Sequence, residues 1–174
     1  MQREELLQEW CTGVRIAHVA HEKAAARYDA VGRLLGVIVV VLSTIVGTAI
    51  FSTLARSPST ALKVVTGVLS TAAAAVAGVQ ALLGYPQRAA DHREAAMRYG
   101  TLRRHIEQLQ AFPPGDIASV AKAMENVAQQ WDDVDAAVRP VPQPIWDQAT
   151  AHVRQSQERA SQARAVHDAR PATA

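Results

Sequence analysis

Three histidines are the first residues of this sequence that could do chemistry. His18 and His21 lie close together with Glu22 beside them, and His92 follows Asp91 much further along the chain. A zinc site needs three or four converging ligands, so the two segments would have to lie side by side to bind a metal. The same histidines could instead hydrogen-bond between two helices or, if buried, make the fold sensitive to pH. We favour the second interpretation and predict no metal site.

The familiar signatures of catalysis are missing from the sequence. Ser, His and Asp are all present, but no GxSxG, Walker-type glycine-rich loop, HExxH or paired-cysteine cluster accompanies them. Cys11 is the single cysteine, which excludes an internal disulfide. A formal net charge of +2 gives no indication of a nucleic-acid partner. We therefore predict a protein that is not an enzyme and needs no cofactor.

Small and polar side chains inside two apolar stretches are the second group of candidates. They recur at helical spacing, and the set is Ser43, Thr44, Gly47, Thr48, Ser52, Thr66, Ser70 and Gln80. Such residues let membrane helices approach closely and hydrogen-bond to each other. Alternatively, one stripe could line a water-filled path. Two helices cannot enclose a conduit, so this second interpretation requires a homo-oligomer.

The stretches that carry these residues are long and apolar enough to span a lipid bilayer. Residues 34–55 and 64–85 contain no charged side chain. At a rise of about 1.5 Å per residue each stretch reaches roughly 33 Å, against a hydrocarbon thickness of about 30 Å. Two fully buried helices of a soluble protein are the alternative, but so small a domain has too little protein to cover them on all sides. The sequence therefore predicts two transmembrane helices.

Basic residues near these spans predict their orientation. Nine arginine or lysine residues flank the outer ends of the pair, whereas only Arg56 and Lys63 lie between the spans. Basic residues are retained on the cytoplasmic side of a membrane. Both termini are therefore expected in the cytoplasm, with residues 56–63 forming a short external loop.

Amphipathic patterns on both sides of the pair complete an all-α prediction: a two-helix transmembrane hairpin extended by long cytoplasmic helices, with additional C-terminal helices. Residues 1–154 form a single unit in this scheme. Its cytoplasmic helices are predicted at 1–33, at 86–111, at 116–138 with Asp116 as N-cap, and at 145–154. The third of these has an apolar heptad, which would either fold back on the other helices or join subunits. The polar residues 155–174 are predicted to be a disordered tail.

Two segments of the chain resemble a known family. "HEKAAARYDAVGRLLGVIVVVLSTIVGTAIF" and "QALLGYPQRAADHREAAMRYGTLRRHIEQL" are similar to the SLATT domain. This bacterial two-transmembrane effector domain is associated with SMODS nucleotidyltransferases and SLOG nucleotide sensors. The resemblance extends over roughly residues 6 to 110.

The resemblance implies an effector of a bacterial conflict or antiphage system. Such a protein would lie in the inner membrane and oligomerise into a pore when a partner nucleotidyltransferase or nucleotide sensor signals. The family pattern falls here on His18, Tyr28, Gly47, His92 and Tyr99 as structural or gating positions, with His18, Tyr28, His92 and Tyr99 expected to couple the cytoplasmic helices to the spans. A non-conducting membrane anchor or scaffold that recruits a cytoplasmic partner is the alternative.

Overall fold

A computed structural model describes residues 2–54 and 60–168 of the chain, and these residues are helical apart from short connections. The helices are α1 (Gln2–Leu54), α2 (Thr60–Leu83), α3 (Tyr85–Ala111), α4 (Ile117–Ala137) and α5 (Gln143–Asp168). No strand occurs within these ranges. The prediction of an all-α fold with two long apolar helices is confirmed.

Helix α1 contains both the predicted first cytoplasmic helix and the predicted first span. Nothing interrupts it, because no proline lies between Gln2 and Leu54 to remove a backbone hydrogen bond. Residues 55–59, which include the first part of the predicted external loop, lie outside the described residues. Helix α2 then begins at Thr60, so residues 60–63 are helical where the sequence predicted a loop.

The break between α2 and α3 falls at Gly84. This glycine has a φ of +56°, a left-handed conformation that costs other residues about 1–2 kcal/mol. Its backbone N–H still bonds to the carbonyl of Gln80, at 3.3 Å. Pro86, which has no N–H, then occupies the first turn of α3, where no such donor is needed. The break between the two helices thus lies two residues before Pro86.

The described residues form two compact units. Those before Ala26 together with those after Ala89 form one unit, called here the bundle unit, and the residues in between form the hairpin unit. The bundle unit thus contains the start of α1, most of α3, and all of α4 and α5. The hairpin unit contains the apolar part of α1 and helix α2.

Helix α4 packs back onto the other helices of the bundle unit. Val127 is buried with Val14 of α1 and Ile106 of α3, and the rings of Trp131 and Trp10 form a T-shaped contact with their centroids 6.4 Å apart. Ile117, in contrast, is 90% exposed, so the first position of the heptad does not contribute to this packing. Of the two roles open for the heptad, the structure shows folding back.

Asp116 begins this helix as predicted. Its carboxylate accepts a hydrogen bond of 2.8 Å from the backbone N–H of Ser119. That bond favours the charged form and lowers the pKa of Asp116. Helix α3 ends before the Pro113–Pro114 pair, because the residue before a proline is disfavoured in the helical conformation.

Helix α5 is longer than the predicted helix at 145–154. It continues to Asp168, through most of the segment expected to be a disordered tail. Its first half buries Ile145, Ala149 and Val153 at helical spacing. Its polar second half has no apolar face, and hydrogen bonds between side chains link it to α1. Such polar contacts leave no apolar pattern in the sequence. Residues 169–174 lie outside the described residues.

Candidate functional site

The histidines of α1 and α3 do lie side by side in the bundle unit. The Nδ1 atoms of His21 and His92 are 3.0 Å apart, and each residue is only 3% exposed. One Nδ1–H therefore donates to the lone pair of the other Nδ1, which requires that the accepting ring be neutral with its proton on Nε2. His18 lies next to this pair and donates from Nδ1 to the carbonyl of Ala96, at 2.7 Å. These contacts join α1 to α3.

Burial keeps this pair of rings uncharged at neutral pH. The pKa of His21 is lowered to about 4, first by burial and then by the positive charges that His92 and His18 would carry. Burial also lowers the pKa of His92, and the nearby Asp91 opposes that effect. Within the described part of the chain, no three His, Cys, Asp or Glu side chains come together in a way that could hold a metal ion. The geometry is that of a buried structural hydrogen bond.

Tyr99 extends this polar cluster towards α4. Its ring centroid lies 5.3 Å from that of His21, and its hydroxyl donates to Oδ1 of Asp135, at 2.5 Å. Burial, followed by the bond to Asp135, raises the pKa of Tyr99. The sequence analysis missed Asp135, because a single polar partner on an exposed helix position leaves no periodic signal.

Removing the Tyr99 hydroxyl should destabilise the bundle unit moderately. Tyr99→Phe leaves the ring in place and breaks one bond to a charged acceptor, an interaction that contributes about 1.5–3 kcal/mol. Chemical unfolding followed by tryptophan fluorescence measures this loss. Asp135→Asn is the matched control, because it keeps an acceptor oxygen and should lose less. Equal stability of Tyr99→Phe and the unmodified protein would contradict the assigned bond.

Tyr28 belongs to the hairpin unit, and the other three predicted coupling residues belong to the bundle unit. Its ring centroid is 6.2 Å from that of Tyr85. The two helices are also close at Gly32, where a Cβ atom would lie in van der Waals contact with the Cβ of Tyr85, at 3.4 Å. The structure thus brings His18, His92 and Tyr99 together and places Tyr28 in a different contact. Coupling between the two sets stays a prediction.

Small residues of the two apolar helices line a shared groove inside the hairpin unit. This groove has a volume of about 400 Å³, and its walls include Ser43 and Gly47 of α1 and Ser70 of α2. Gln80 also faces α1, because a Cβ atom at Gly36 would lie 3.7 Å from its Nε2. The least apolar side chain of the second span is therefore directed at the neighbouring helix.

Two threonines of the first span, Thr44 and Thr48, lie elsewhere, at exposed positions of α1. Thr44 and Thr48 donate their hydroxyls to the carbonyls of Val40 and Thr44, at 2.8 and 2.9 Å. A hydroxyl bonded to its own helix is tolerated against lipid, and it can also face water. Thr66 is partly exposed on α2. Of Ser52 the structure describes the helical backbone only. The predicted set of polar residues thus divides into a groove-lining group and an outward-facing group.

The apolar surface of the hairpin unit is left largely uncovered. Val40 and Val68 are each 64% exposed and Leu82 is 86% exposed. In the most apolar windows of the two long helices, only 6% and 0% of the residues are buried. Helices in the core of a soluble protein are buried instead, so this alternative does not fit. Both helices are long and apolar enough to cross a membrane.

These features define a class, the α-helical membrane proteins with two spans. The chain belongs to the SMODS and SLOG-associating 2TM effector domain family 4, whose model matches residues 4–163. No curated protein and no solved structure matches the chain. The family match confirms the resemblance seen in the sequence and extends it over α4 and most of α5. The protein is accordingly a membrane effector domain.

Proposed function

We propose that this protein is a pore-forming effector of a bacterial defence system, lying in the inner membrane with both termini in the cytoplasm. The family supports the effector role. The excess of basic residues outside the two spans supports the orientation, because such residues are retained in the cytoplasm. A partner nucleotidyltransferase or nucleotide sensor would supply the trigger.

One observation carries the pore proposal: the hairpin unit presents polar groups on a face that its own two helices leave exposed. Thr44 and Thr48 lie four residues apart on this face of α1, among exposed valines. Several hairpins arranged in a ring could turn this face inward and enclose water. A signal would favour that assembly only if it bound the assembled state more tightly than the dispersed one. Between signals, a mostly apolar lining would stay dewetted and closed.

Leakage from liposomes tests the proposal. The full chain is placed in vesicles loaded with a small fluorescent dye, and nucleoside triphosphates and cyclic oligonucleotides are added one at a time. We expect dye release with at least one of them. Replacing Thr44 and Thr48 with valine removes two hydroxyls at nearly constant size and should slow that release several-fold. Thr71→Val on α2 is the matched control, because its hydroxyl also bonds to its own helix, at 3.0 Å.

The alternative function is a non-conducting anchor or scaffold. It is favoured by the same threonine hydroxyls, which already have partners within α1 and need no water. A scaffold should release no dye under any trigger, and its expression should leave the membrane potential of the host unchanged. Dye release from the vesicles, or a loss of membrane potential in the host, would exclude this alternative.

A further inference from the structure

The bundle unit contains a basic cavity that the proposed pore does not use. Its volume is about 790 Å³, and residues of α1, α3, α5 and the turn after α3 line it. Four arginines take part, namely Arg3 and Arg15 of α1, Arg103 of α3 and Arg164 of α5. The acidic residues in the lining are Glu4 and Glu107, so the cavity keeps an excess of positive charge.

Two hydrogen bonds between α1 and α5 hold the wall of this cavity. Arg15 donates from Nη2 to the hydroxyl of Ser156, at 3.0 Å, and Gln157 donates from Nε2 to the hydroxyl of Thr12, at 3.0 Å. Three of these residues, Thr12, Arg15 and Gln157, line the cavity. The polar second half of α5 thus completes a site to which α1 and α3 contribute the other charges.

Glu107 does not satisfy every hydrogen-bond donor of Arg103 on α3. Glu107 lies 3.2 Å from Nε of Arg103, yet that buried nitrogen makes no hydrogen bond of acceptable geometry to any described residue. An arginine in this state gains from a further anion near its guanidinium group. One guanidinium group can donate two parallel hydrogen bonds to the oxygens of a phosphate, and arginine is therefore common at phosphate-binding sites.

We propose that this cavity binds a small anion that carries two or more phosphate groups, such as a nucleotide. Its volume lies within the range of about 300–1,000 Å³ that is usual for small-ligand pockets. None of the described residues that line the cavity is aromatic, so these residues would not hold a base by stacking and the phosphates would dominate recognition. Binding itself is independent of the pore, and only the role of the ligand as a trigger rests on the proposed function.

A native side chain in this cavity allows ligand binding to be measured. Cys11 is the single cysteine of the sequence and lines the cavity. Burial, followed by the charge of Glu107, raises the pKa of its thiol, so alkylation by N-ethylmaleimide is best followed at mildly alkaline pH. We expect ATP and inorganic tripolyphosphate to slow this alkylation about tenfold at roughly ten times the dissociation constant. Adenosine should not slow it.

Charge-removing variants test the assignment. Arg103→Gln and Arg164→Gln should each weaken the protection, whereas Arg104→Gln and Arg159→Gln, on the same two helices but outside the lining, should leave it unchanged. Protection is expressed for each variant as the ratio of rates without and with ligand, because arginines also affect the thiol directly. Arg164 is exposed, so its replacement should not affect folding.

Three outcomes would overturn the proposal. If Cys11 were alkylated at the same rate with and without each phosphate compound, the cavity would not be a binding site for phosphates. If adenosine slowed the alkylation as much as ATP does, recognition would not depend on the phosphate groups. Protection by phosphatidylglycerol vesicles, with ATP and tripolyphosphate inactive, would assign the site to a lipid headgroup. Protection of Cys11 by ATP without any dye release would support the binding site and contradict only the proposed pore. Dye release without such protection would support the pore and contradict the binding site.

Discussion

Replacing Val41 and Ile45 with aspartate is expected to keep the protein out of the membrane. The two residues are 50% and 46% exposed on α1 and lie near the middle of the predicted first span. At an exposed position in water such changes are nearly neutral, within about 0.5 kcal/mol. In hydrocarbon each aspartate costs about 3 kcal/mol at the helix centre. Together the two should reduce insertion about 10⁴-fold, at roughly 1.4 kcal/mol per factor of ten.

Sedimentation with membranes after an alkaline carbonate wash measures this effect. Met97→Asp combined with Phe112→Asp is the matched control, because these residues are also exposed and apolar, at 65% and 84%, but lie outside the spans. The control should sediment like the unmodified protein. If both double variants stayed in the membrane equally well, the spans would be placed wrongly.

Acidification between pH 6.5 and 4 is expected to destabilise the bundle unit. An unfolded chain protonates His21 near its ordinary pKa of 6.5, whereas the folded protein does so only near 4. The unfolded state thus binds more protons throughout this window, so the free energy of unfolding falls as the pH falls. At 1.36 kcal/mol per pKa unit the loss from His21 reaches about 3 kcal/mol. His92 adds to it, because burial lowers its pKa as well.

Urea unfolding of the full chain in detergent micelles, repeated over this pH range, measures the slope. Trp10 and Trp131 report on the bundle unit by fluorescence, since both lie against its core. Replacing His21 and His92 with glutamine should flatten the pH dependence, and His152→Gln, at an exposed site of α5, should leave it intact. Titration of Asp116 falls below this window, because its pKa is lowered from 3.8. A slope unchanged in the double variant would contradict the assignment to the histidine pair.

The sequence was informative wherever a periodic or compositional pattern fixes the structure. Uncharged length predicted the two long apolar helices, and the spacing of apolar residues predicted the helix from Ile117 onwards, with its N-cap at Asp116. Amphipathic patterns on both sides of the spans predicted the helical segments that approach each other in α1 and α3. That approach brings His18 and His21 to His92, although the geometry of the pair needed coordinates.

Contacts between polar residues far apart in sequence could not be predicted. Ser156 and Gln157 stand in a stretch without an apolar face, and they are ordered by single bonds to α1. The basic cavity was missed for the same reason, since its arginines come from three helices and form no motif. The sequence also could not show which polar residues of the spans line the groove and which point outward. Thr44 and Ser43 are neighbours in the chain, yet one points outward and the other lines the groove.

The bonds from Arg15 to Ser156 and from Thr12 to Gln157 have a consequence for biosynthesis. Their partners are separated by 141 and 145 residues, so the beginning of α1 cannot complete these contacts until the middle of α5 has been made. At about 5–20 residues per second the ribosome needs roughly 7–30 s for that length. Both apolar helices leave the ribosome during this interval. The two apolar helices are therefore available for membrane insertion before the basic cavity exists, and the proposed ligand site forms only after α5 has emerged.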